Sequence, residues 1–265
     1  MRRLLPRLLV AVLFTSFAAE SSARSYDPRL GVFFNPDTRA VDVSGFKSWA
    51  GELGVAMAPK FLGPASTLGS MGFELSLEVG LTTIHGGRDY WKAARDAGDL
   101  LVTNQIRIRK GLPYSLQISG VMTHLFDSGM WGIGLEFGGA VVEGFRYVPD
   151  VSLSASVGTW LGSGDLAVLE AGFSTIVSKT FAIAGLFTVA PFAGYNLIYI
   201  NAGSYLTAGT VKGAEVVPFV LDSQNIFRHR AVLGFNVVAT YVTAGVEFAV
   251  GPGQTSYSFK LGTSF

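Results

Sequence analysis

The chain has 265 residues, with 20 basic and 19 acidic side chains, and it contains no cysteine. The lack of cysteine excludes disulfides, thiolate zinc sites, cysteine nucleophiles and a lipoprotein anchor. With 33 glycines, 20 phenylalanines, only 15% charged residues and a mean hydropathy of +0.40, the composition is unusual for a soluble surface. It is typical of a membrane β-barrel, which exposes an apolar band to lipid.

Residues 1–23 have the three parts of a secretory signal peptide. A basic start with three arginines precedes an apolar run from Leu8 to Ala19, and small residues at 21–23 offer a cleavage site. The apolar run is too short to span a membrane comfortably as a helix. Cleavage removes three of the 20 basic and one of the 19 acidic residues, which leaves 17 and 18. This balance has no basic excess of the kind that indicates nucleic-acid binding.

Residues 24–71 differ from the rest of the mature chain. A polar, turn-rich stretch is followed by apolar residues at helical spacing, namely Phe46, Trp49, Leu53 and Met57. Because Trp49, Leu53, Val55 and Met57 also alternate, a helix and a strand both fit. Pro59 and Pro64 end this element. We interpret residues 24–71 as an N-terminal periplasmic extension or plug that folds into a barrel mouth, with a partly ordered extension as the alternative.

From residue 72 onward, apolar and polar residues alternate with the two-residue period of a β-strand. In the first strand, Phe73, Leu75 and Leu77 face one side, and Glu74 and Glu78 face the other. Ten strands are predicted, near residues 72–82, 100–110, 112–124, 130–142, 151–160, 166–177, 181–201, 231–238, 241–250 and 257–265. The first four are each long enough to cross a bilayer as tilted strands. The uncharged stretch 181–201 resembles a membrane helix, but its glycines and proline favour one long strand.

The last predicted strand alternates strictly and ends on an aromatic residue. One face carries Tyr257, Phe259, Leu261 and Phe265, and the other carries Ser258, Lys260, Gly262 and Ser264. This ending resembles the C-terminal signal of bacterial outer-membrane β-barrel proteins, in which the last strand closes the barrel and ends in Phe. The resemblance implies that Tyr257, Phe259, Leu261 and Phe265 form an assembly signal, and that the mature protein resides in the outer membrane of a Gram-negative bacterium. It also implies contacts with the barrel-assembly machinery, the lipid bilayer and lipopolysaccharide.

These predictions combine into an all-β fold, a transmembrane antiparallel up-and-down β-barrel of about ten strands over residues 72–265. Barrels of eight or twelve strands are the alternatives. With both chain ends in the periplasm, the two longest connections, residues 85–99 and 203–228, fall on the outer side. The competing fold, a helical inner-membrane protein, requires runs of about 20 apolar residues. Charges such as Glu74, Arg107 and Glu136 interrupt such runs at strand spacing.

Seven charged residues fall on the inward faces of the predicted strands: Glu74, Glu78, Arg107, Arg109, Glu136, Glu247 and Lys260. They form either a charged constriction that selects solutes or a set of ion pairs that neutralises buried charge. An unpaired charge inside a narrow barrel is costly. Because acids and bases are nearly balanced, the sequence favours mutual pairing, with Glu78 compensated by Arg107 or Arg109.

Hydrolysis at the outer membrane is the other function class that the sequence raises. Polar residues at outer strand ends and in outer loops include His85, His124, His229, Asp89, Asp96, Asp99, Asp127 and Asp222. No H-E-x-x-H or G-x-S-x-G motif supports catalysis. No catalytic residue, metal ligand or cofactor is therefore predicted. Tyr90 and Trp91 in the first outer loop fit interfacial anchoring.

The sequence as a whole favours a minor, porin-like channel or transporter for small solutes. The first alternative is a structural or surface-interaction barrel without a pore. The second is an outer-membrane hydrolase that uses outer-loop His and Asp residues. The expected partners are lipid, lipopolysaccharide, the assembly machinery and a small-molecule solute, and nucleic acid is not expected.

Overall fold

The computed structural model describes residues 24–35, 37–183, 185–205, 207–210 and 216–265. The predicted signal peptide, residues 1–23, lies outside the described residues. Among the described residues, no helix has both the length and the apolar character needed to cross a membrane.

Ten long antiparallel strands form a closed barrel. In chain order they are β1 (Phe73–Thr83), β2 (Leu100–Leu112), β3 (Leu116–Leu125), β4 (Trp131–Val142), β5 (Asp150–Leu161), β6 (Leu166–Ser178), β7 (Phe187–Ser204), β8 (Gln224–Ala239), β9 (Val242–Gly251) and β10 (Gln254–Ser264). Each strand pairs with the next along the chain, and β10 pairs with β1 to close the ring. Closure satisfies the main-chain groups that an open sheet edge would leave unpaired. The predicted all-β, ten-stranded, up-and-down barrel is confirmed.

The two faces of each strand differ in the way that the alternating sequence predicts. On β10, the inward-facing Ser258 and Lys260 are at most 4% exposed, whereas the outward-facing Phe259 and Leu261 are 49% and 59% exposed. Large apolar side chains are exposed in the same way on the other strands, including β4, β6 and β8. An apolar belt around a closed barrel is the lipid-facing surface of a transmembrane protein.

The terminal end of the barrel contains the start of β1 and the end of β10. Phe73 and Phe265 exchange two main-chain hydrogen bonds there, of 2.6 and 2.9 Å, and their rings stack with centroids 5.7 Å apart. The far end contains the end of β1 and the start of β10. The two longest connections between strands, residues 84–99 and 205–223, both lie at the far end. Outer-membrane barrels have the same asymmetry, because their outer loops are longer than their periplasmic turns.

Two of the predicted strand boundaries are wrong because tight turns interrupt the alternating pattern. The turn between β2 and β3 lies at Pro113–Ser115, beginning three residues later than the predicted turn at residues 110–111, and two of its residues have positive φ. The stretch 181–201 is not one strand. Its first part, Phe181–Ile183, folds back on the start of β7 through a turn in which Gly185 has a φ of 67°. Glycine tolerates this left-handed conformation without steric cost.

The predicted start of the eighth strand is also wrong. β8 begins at Gln224 rather than at residue 231, because it pairs with β7 as far as Ala202. The predicted long loop before it is correspondingly shorter and contains a small hairpin of Thr207–Thr210 and Val216–Phe219. The longer strand includes Arg230 and places it on the inward face. Residue 230 lies between the predicted loop and the predicted strand, so it had no predicted orientation.

The N-terminal segment, residues 24–72, begins with short elements and continues into the helix α1 (Val43–Met57). A 3₁₀ turn at Leu30–Phe33 leads into a two-residue strand pair, Phe34–Asn35 with Ala40–Val41. The Asp42 carboxylate caps α1, since Oδ1 accepts the N–H of Gly45 at 2.9 Å. Of the two readings left open by the sequence for this stretch, the structure has the helix.

Helix α1 lies inside the far end of the barrel. Its residues Phe46, Trp49, Leu53 and Met57 belong to one buried cluster with Trp91, Leu101, Leu125, Trp160, Ile198 and Ile200 of the surrounding loop and strands. Gly54 faces the wall so closely that an added Cβ would lie 2.2 Å from Ile200 Cδ1. The helix is therefore buried on almost all sides, which a surface helix never is.

Residues 58–72, called the crossing segment below, connect α1 at the far end with β1 at the terminal end. The N–H of Ala65 donates to Ser178 Oγ at 2.8 Å. Near the terminal end, the N–H of Thr67 donates to the Glu143 carboxylate at 2.6 Å. The polypeptide therefore passes through the lumen along the length of the barrel before it enters the wall.

Candidate functional site

The lumen is lined by buried charges of both signs. The seven side chains predicted to face inward are all buried there, and three more join them: Lys60, Glu170 and Arg230. These ten side chains comprise five carboxylates and five cations, and Asp150 at the start of β5 is a further buried carboxylate of the described wall. A nearly balanced set is what a narrow lumen requires, because each uncompensated charge in it would be poorly solvated.

Among the described residues, three ion pairs join charges on different strands of the wall, two between neighbouring strands and one, Arg107 with Glu136, across the intervening β3. Arg107 Nε lies 3.0 Å from Glu78 Oε1, and Arg107 Nη1 lies 3.6 Å from Glu136 Oε2. Lys260 Nζ lies 3.2 Å from Glu74 Oε1. Arg107 and Glu78 are each 1% exposed, so their attraction is little screened by water or salt.

The remaining luminal arginines bind the crossing segment. Arg230 donates through Nη2 to the carbonyl of Pro59, and its Nε donates to Asn196 Oδ1 at 3.1 Å. Arg109 donates to the carbonyl of Phe61 at 3.5 Å. Arg107, which pairs with Glu78, also donates to the carbonyl of Lys60. Three consecutive carbonyl oxygens therefore each accept from a different arginine.

A luminal carboxylate binds the main-chain N–H groups of the same stretch. Glu247 Oε2 accepts the main-chain N–H groups of Phe61 at 2.8 Å and of Leu62 at 3.0 Å. The Lys60 side chain turns back, and its Nζ donates to the carbonyl of Val55 at 3.1 Å. Glu170 has a different role, since its carboxylate accepts from Trp160 Nε1 at 3.3 Å.

A second polar cluster, called the helix latch below, fastens α1 at the far end. The Glu52 carboxylate accepts from the main-chain N–H of His85 at 3.1 Å, from Tyr90 Oη at 2.7 Å and from Trp91 Nε1 at 2.7 Å. His85 Nδ1 lies a further 2.6 Å from the same carboxylate. Burial acts to raise the pKa of Glu52, but these hydrogen bonds outweigh it and lower that pKa. Burial and the bond to Glu52 raise the pKa of Tyr90 to about 12.

The residues before α1 extend the cover over the far end. Asp27 Oδ1 accepts the N–H of Gly129 at 2.6 Å, and Arg24 donates to the carbonyl of Ser128 at 3.0 Å. Arg29 donates to the carbonyl of Ala94 at 2.6 Å. These contacts tie the N-terminal segment to two separate loops at the far end of the barrel.

The three histidines have different surroundings rather than one shared site. His85 belongs to the helix latch, and His124 Nε2 lies 3.1 Å from the Ser128 carbonyl while its ring packs on Trp131. His229 faces outward and stacks on Tyr195. Within the described ranges, no group of three or more His, Asp and Glu side chains could hold a metal ion. In the part of the chain that the structure describes, the three histidines therefore do not converge on one site.

Four residues important to the lumen and its cover were missed at the level of sequence: Glu52, Lys60, Glu170 and Arg230. Glu170 lies in a strand whose pattern is mixed on both faces, and Arg230 precedes the predicted start of its strand. Glu52 and Lys60 lie outside the barrel strands, so alternation could not place them. The signal that could have revealed Arg230 is Phe227, which is outward-facing at the two-residue period with Leu233 and Phe235.

The residues of the proposed assembly signal all face away from the lumen. Tyr257, Phe259, Leu261 and Phe265 are each about half exposed or more, at 47% to 64%. Phe265 adds the main-chain and ring contacts to Phe73 described above.

Neither a protein-family model nor a curated protein matches the chain. Solved structures that resemble it include the KdgM porin, at 11% identity and a TM-score of 0.34 over 72% of this chain and 99% of that one. The β domain of the Bordetella autotransporter BrkA is similar at 14% identity and a TM-score of 0.38, covering 74% and 99%. An outer-membrane channel from Pseudomonas putida F1 is similar at 8% identity and a TM-score of 0.37, covering 78% and 100%. This similarity is too low to assign a family or a function, and the barrel assignment rests on the strand pairing.

Proposed function

We propose that the protein is an outer-membrane channel for small polar solutes, which its own N-terminal segment holds closed. The observation that carries this proposal is the crossing segment. It occupies a lumen with a largely polar lining, and hydrogen bonds to its main chain hold it there. Its Phe61 and Ala65 also pack on a small apolar cluster of the wall, formed by Ile176, Phe192, Val232 and Ala249. A permanently filled barrel has no need of a polar lining, since apolar packing would stabilise it at least as well.

The outer face supports the proposed location. An exposed apolar belt fits a bilayer, and the aromatic last strand fits the bacterial outer membrane. With the terminal end in the periplasm, α1 covers the outer mouth, next to the lipopolysaccharide. Export would depend on residues 1–23, and insertion on assembly machinery that recognises the outward residues of β10.

The lining supports small polar solutes as the cargo. Inward positions of β1, β2, β3 and β10 carry Glu, Ser, Thr, Gln, Arg and Lys side chains. If the crossing segment leaves the lumen with Lys60, six buried carboxylates remain opposite four buried cations among the described wall residues. A hydrogen-bonding wall with charges of both signs replaces the hydration of a polar solute without strongly excluding either sign of charge.

The contacts of the crossing segment support a reversible closure. Main-chain carbonyl and N–H groups exchange their charged protein partners for water at a net cost of about 1.5–3 kcal/mol each, which an applied voltage or a bound solute can offset. Small residues of the opposite wall, Gly134, Ser156 and Gly158, leave a narrow gap beside Pro59. Displacement of residues 58–65 toward either mouth would widen this gap into a continuous path.

An engineered disulfide tests the proposal directly, because the natural chain has no cysteine. The 2.8 Å hydrogen bond between Ala65 and Ser178 identifies a close pair, so the variant combines Ala65→Cys with Ser178→Cys. Single-channel currents of the purified protein are recorded in planar lipid bilayers under oxidising and then reducing conditions. The two single-cysteine variants serve as controls for each substitution.

We expect the oxidised double variant to stay closed and the reduced one to open under applied voltage, as the natural chain does. The single-cysteine variants should open under both conditions. If the natural chain and the reduced variant stay silent over the whole voltage range, the protein is not a channel.

The second candidate, a closed structural or surface-interaction barrel, is favoured by one observation. Helix α1 packs into a large apolar cluster at the far end, and the helix latch adds four hydrogen-bonding contacts to Glu52. A cover this firmly packed would suit a permanently closed barrel that presents the far end to a partner. The silent outcome of the disulfide experiment would favour this candidate.

A further inference from the structure

We infer that the lumen contains a binding site for the main chain of a short peptide, and that residues 59–62 of the chain itself occupy this site when the channel is closed. The inference rests on the channel proposed above and deepens it by naming short peptides as a solute class. The site, called the main-chain clamp below, consists of Arg107, Arg109, Arg230 and Glu247.

Three arginines, located on two opposite walls of the barrel, donate hydrogen bonds to the carbonyl groups of the bound stretch. The carbonyls of Pro59, Lys60 and Phe61 accept from Arg230, Arg107 and Arg109 in turn. Arg107 and Arg109 lie on β2, whereas Arg230 lies on β8. The main chain, which turns at Leu62 with a φ of 41°, is thus held between opposing walls by its successive oxygen atoms.

One carboxylate accepts hydrogen bonds from the main-chain N–H groups of the bound stretch. Glu247 Oε2 accepts two successive N–H groups, at 2.8 and 3.0 Å. Charged groups hydrogen-bond to peptide groups about twice as strongly as neutral ones do. All five of these contacts involve main-chain atoms, so the clamp recognises the peptide linkage. It also favours an aromatic side chain at one position, because the guanidinium of Arg230 lies 5.7 Å from the centre of the Phe61 ring.

The clamp has binding capacity that its present occupant does not use. Within the described residues, Arg109 Nε, Arg230 Nη1 and Glu247 Oε1 are buried and have no hydrogen-bond partner. Unused donors on two arginines suit a free carboxylate, and an unused carboxylate oxygen suits an ammonium group. A short peptide supplies both charges together with the peptide groups, whereas an internal segment such as residues 59–62 supplies the peptide groups alone.

The chemistry disfavours a neutral sugar as the occupant of this site. A sugar would place hydroxyl groups against four buried charges and would compensate none of them, which is costly in a poorly solvated lumen. A zwitterionic peptide places its negative end at the arginines and its positive end at Glu247. The clamp therefore favours zwitterionic peptides over neutral sugars, although the lumen as a whole contains charges of both signs.

Trialanine is the probe that tests this inference. Currents through the reduced Ala65→Cys, Ser178→Cys protein are recorded with trialanine, with N-acetyl-trialanine amide, which lacks both charges, and with sucrose. We expect trialanine to interrupt the current at the lowest concentration, the capped peptide at a higher one, and sucrose to have no specific effect. Equal effects of trialanine and sucrose would overturn the peptide site.

Charge-matched substitutions identify the residues responsible. Glu247→Gln should weaken the trialanine block by about tenfold or more, as expected for the loss of a charged hydrogen-bonding partner. Asp150→Asn removes the same charge from the same lumen, but Asp150 accepts from the N–H of Gly144 rather than binding the clamp or the crossing segment, so the block should persist. Heat-dependent mobility on a detergent gel verifies folding of each variant, and Arg230→Lys replaces Glu247→Gln if the latter does not fold. Equal weakening by the clamp and control substitutions would also overturn the inference.

The outcomes separate this inference from the proposed function. Ion current that trialanine does not interrupt refutes the peptide site and leaves the channel intact. The lack of ion current in either redox state refutes the channel, and the peptide inference with it.

Discussion

The ion pair between Glu78 and Arg107 can be tested by a double-mutant cycle. The two side chains are 1% exposed and 3.0 Å apart, so Glu78→Gln leaves a buried guanidinium with less compensation. Breaking a buried pair from one side costs about 3–5 kcal/mol. Because Arg107 keeps Glu136 and the Lys60 carbonyl as partners, we expect Glu78→Gln to fall at the lower end, about 3 kcal/mol.

The opposite single substitution should cost more. Arg107→Gln leaves Glu78 and Glu136 both uncompensated, so we expect about 5 kcal/mol. In the double variant, the two costs should overlap by about 1–3 kcal/mol, the coupling energy of residues in contact. The free energy of unfolding is measured by urea titration in phospholipid vesicles, with the fluorescence of the four tryptophans as the signal.

A second cycle supplies the control. Glu170 accepts from Trp160 rather than from Arg107, so Glu170→Gln and Arg107→Gln should be additive within about 0.5 kcal/mol. If Glu78→Gln and Arg107→Gln are equally additive, the two residues do not pair in the folded protein. If both double variants instead deviate from additivity in the free energy of unfolding, the luminal charges interact as one network and the assignment of a specific Glu78–Arg107 pair is wrong.

Two further predictions concern the ends of the barrel. The pKa of Glu52 is lowered below 4.5, so its stabilisation of α1 should be complete above pH 4.5 and should be lost as the pH falls through the lowered value. Amide hydrogen exchange of α1 should therefore become faster at acidic pH, relative to the intrinsic rate, in the natural chain and should not show this change in the Glu52→Gln variant. At the terminal end, Phe265→Ala should reduce the folded, heat-modifiable form on a detergent gel, because Phe265 stacks on Phe73. The control Tyr241→Ala removes an equally exposed aromatic ring, and an equal loss there would contradict a special role for Phe265.

Much of the barrel could be predicted because a strand offers only two faces. Once Leu75 and Leu77 point to lipid, Glu74 and Glu78 must point inward, whatever the rest of the fold does. The same parity applies to Glu247 between Val246 and Phe248. Strand boundaries were less predictable, because they depend on turns such as the one at Gly185 and on how far a neighbouring strand continues.

The sequence by itself thus determined the fold class and the inward side of the strands that alternate cleanly, since two-residue alternation is a local property. It indicated about ten strands, and closure of the barrel decided the number. Only the tertiary structure decided that residues 43–57 form a helix and that residues 58–72 pass through the lumen. Residues 60–65 of this segment are mostly buried whereas residues 69–71 are exposed, and neither part has a strand or helix period that a sequence pattern could detect. Their partners, Arg230 and Glu247, lie more than 150 residues away along the chain, and only closure of the barrel brings those side chains to the main chain they bind.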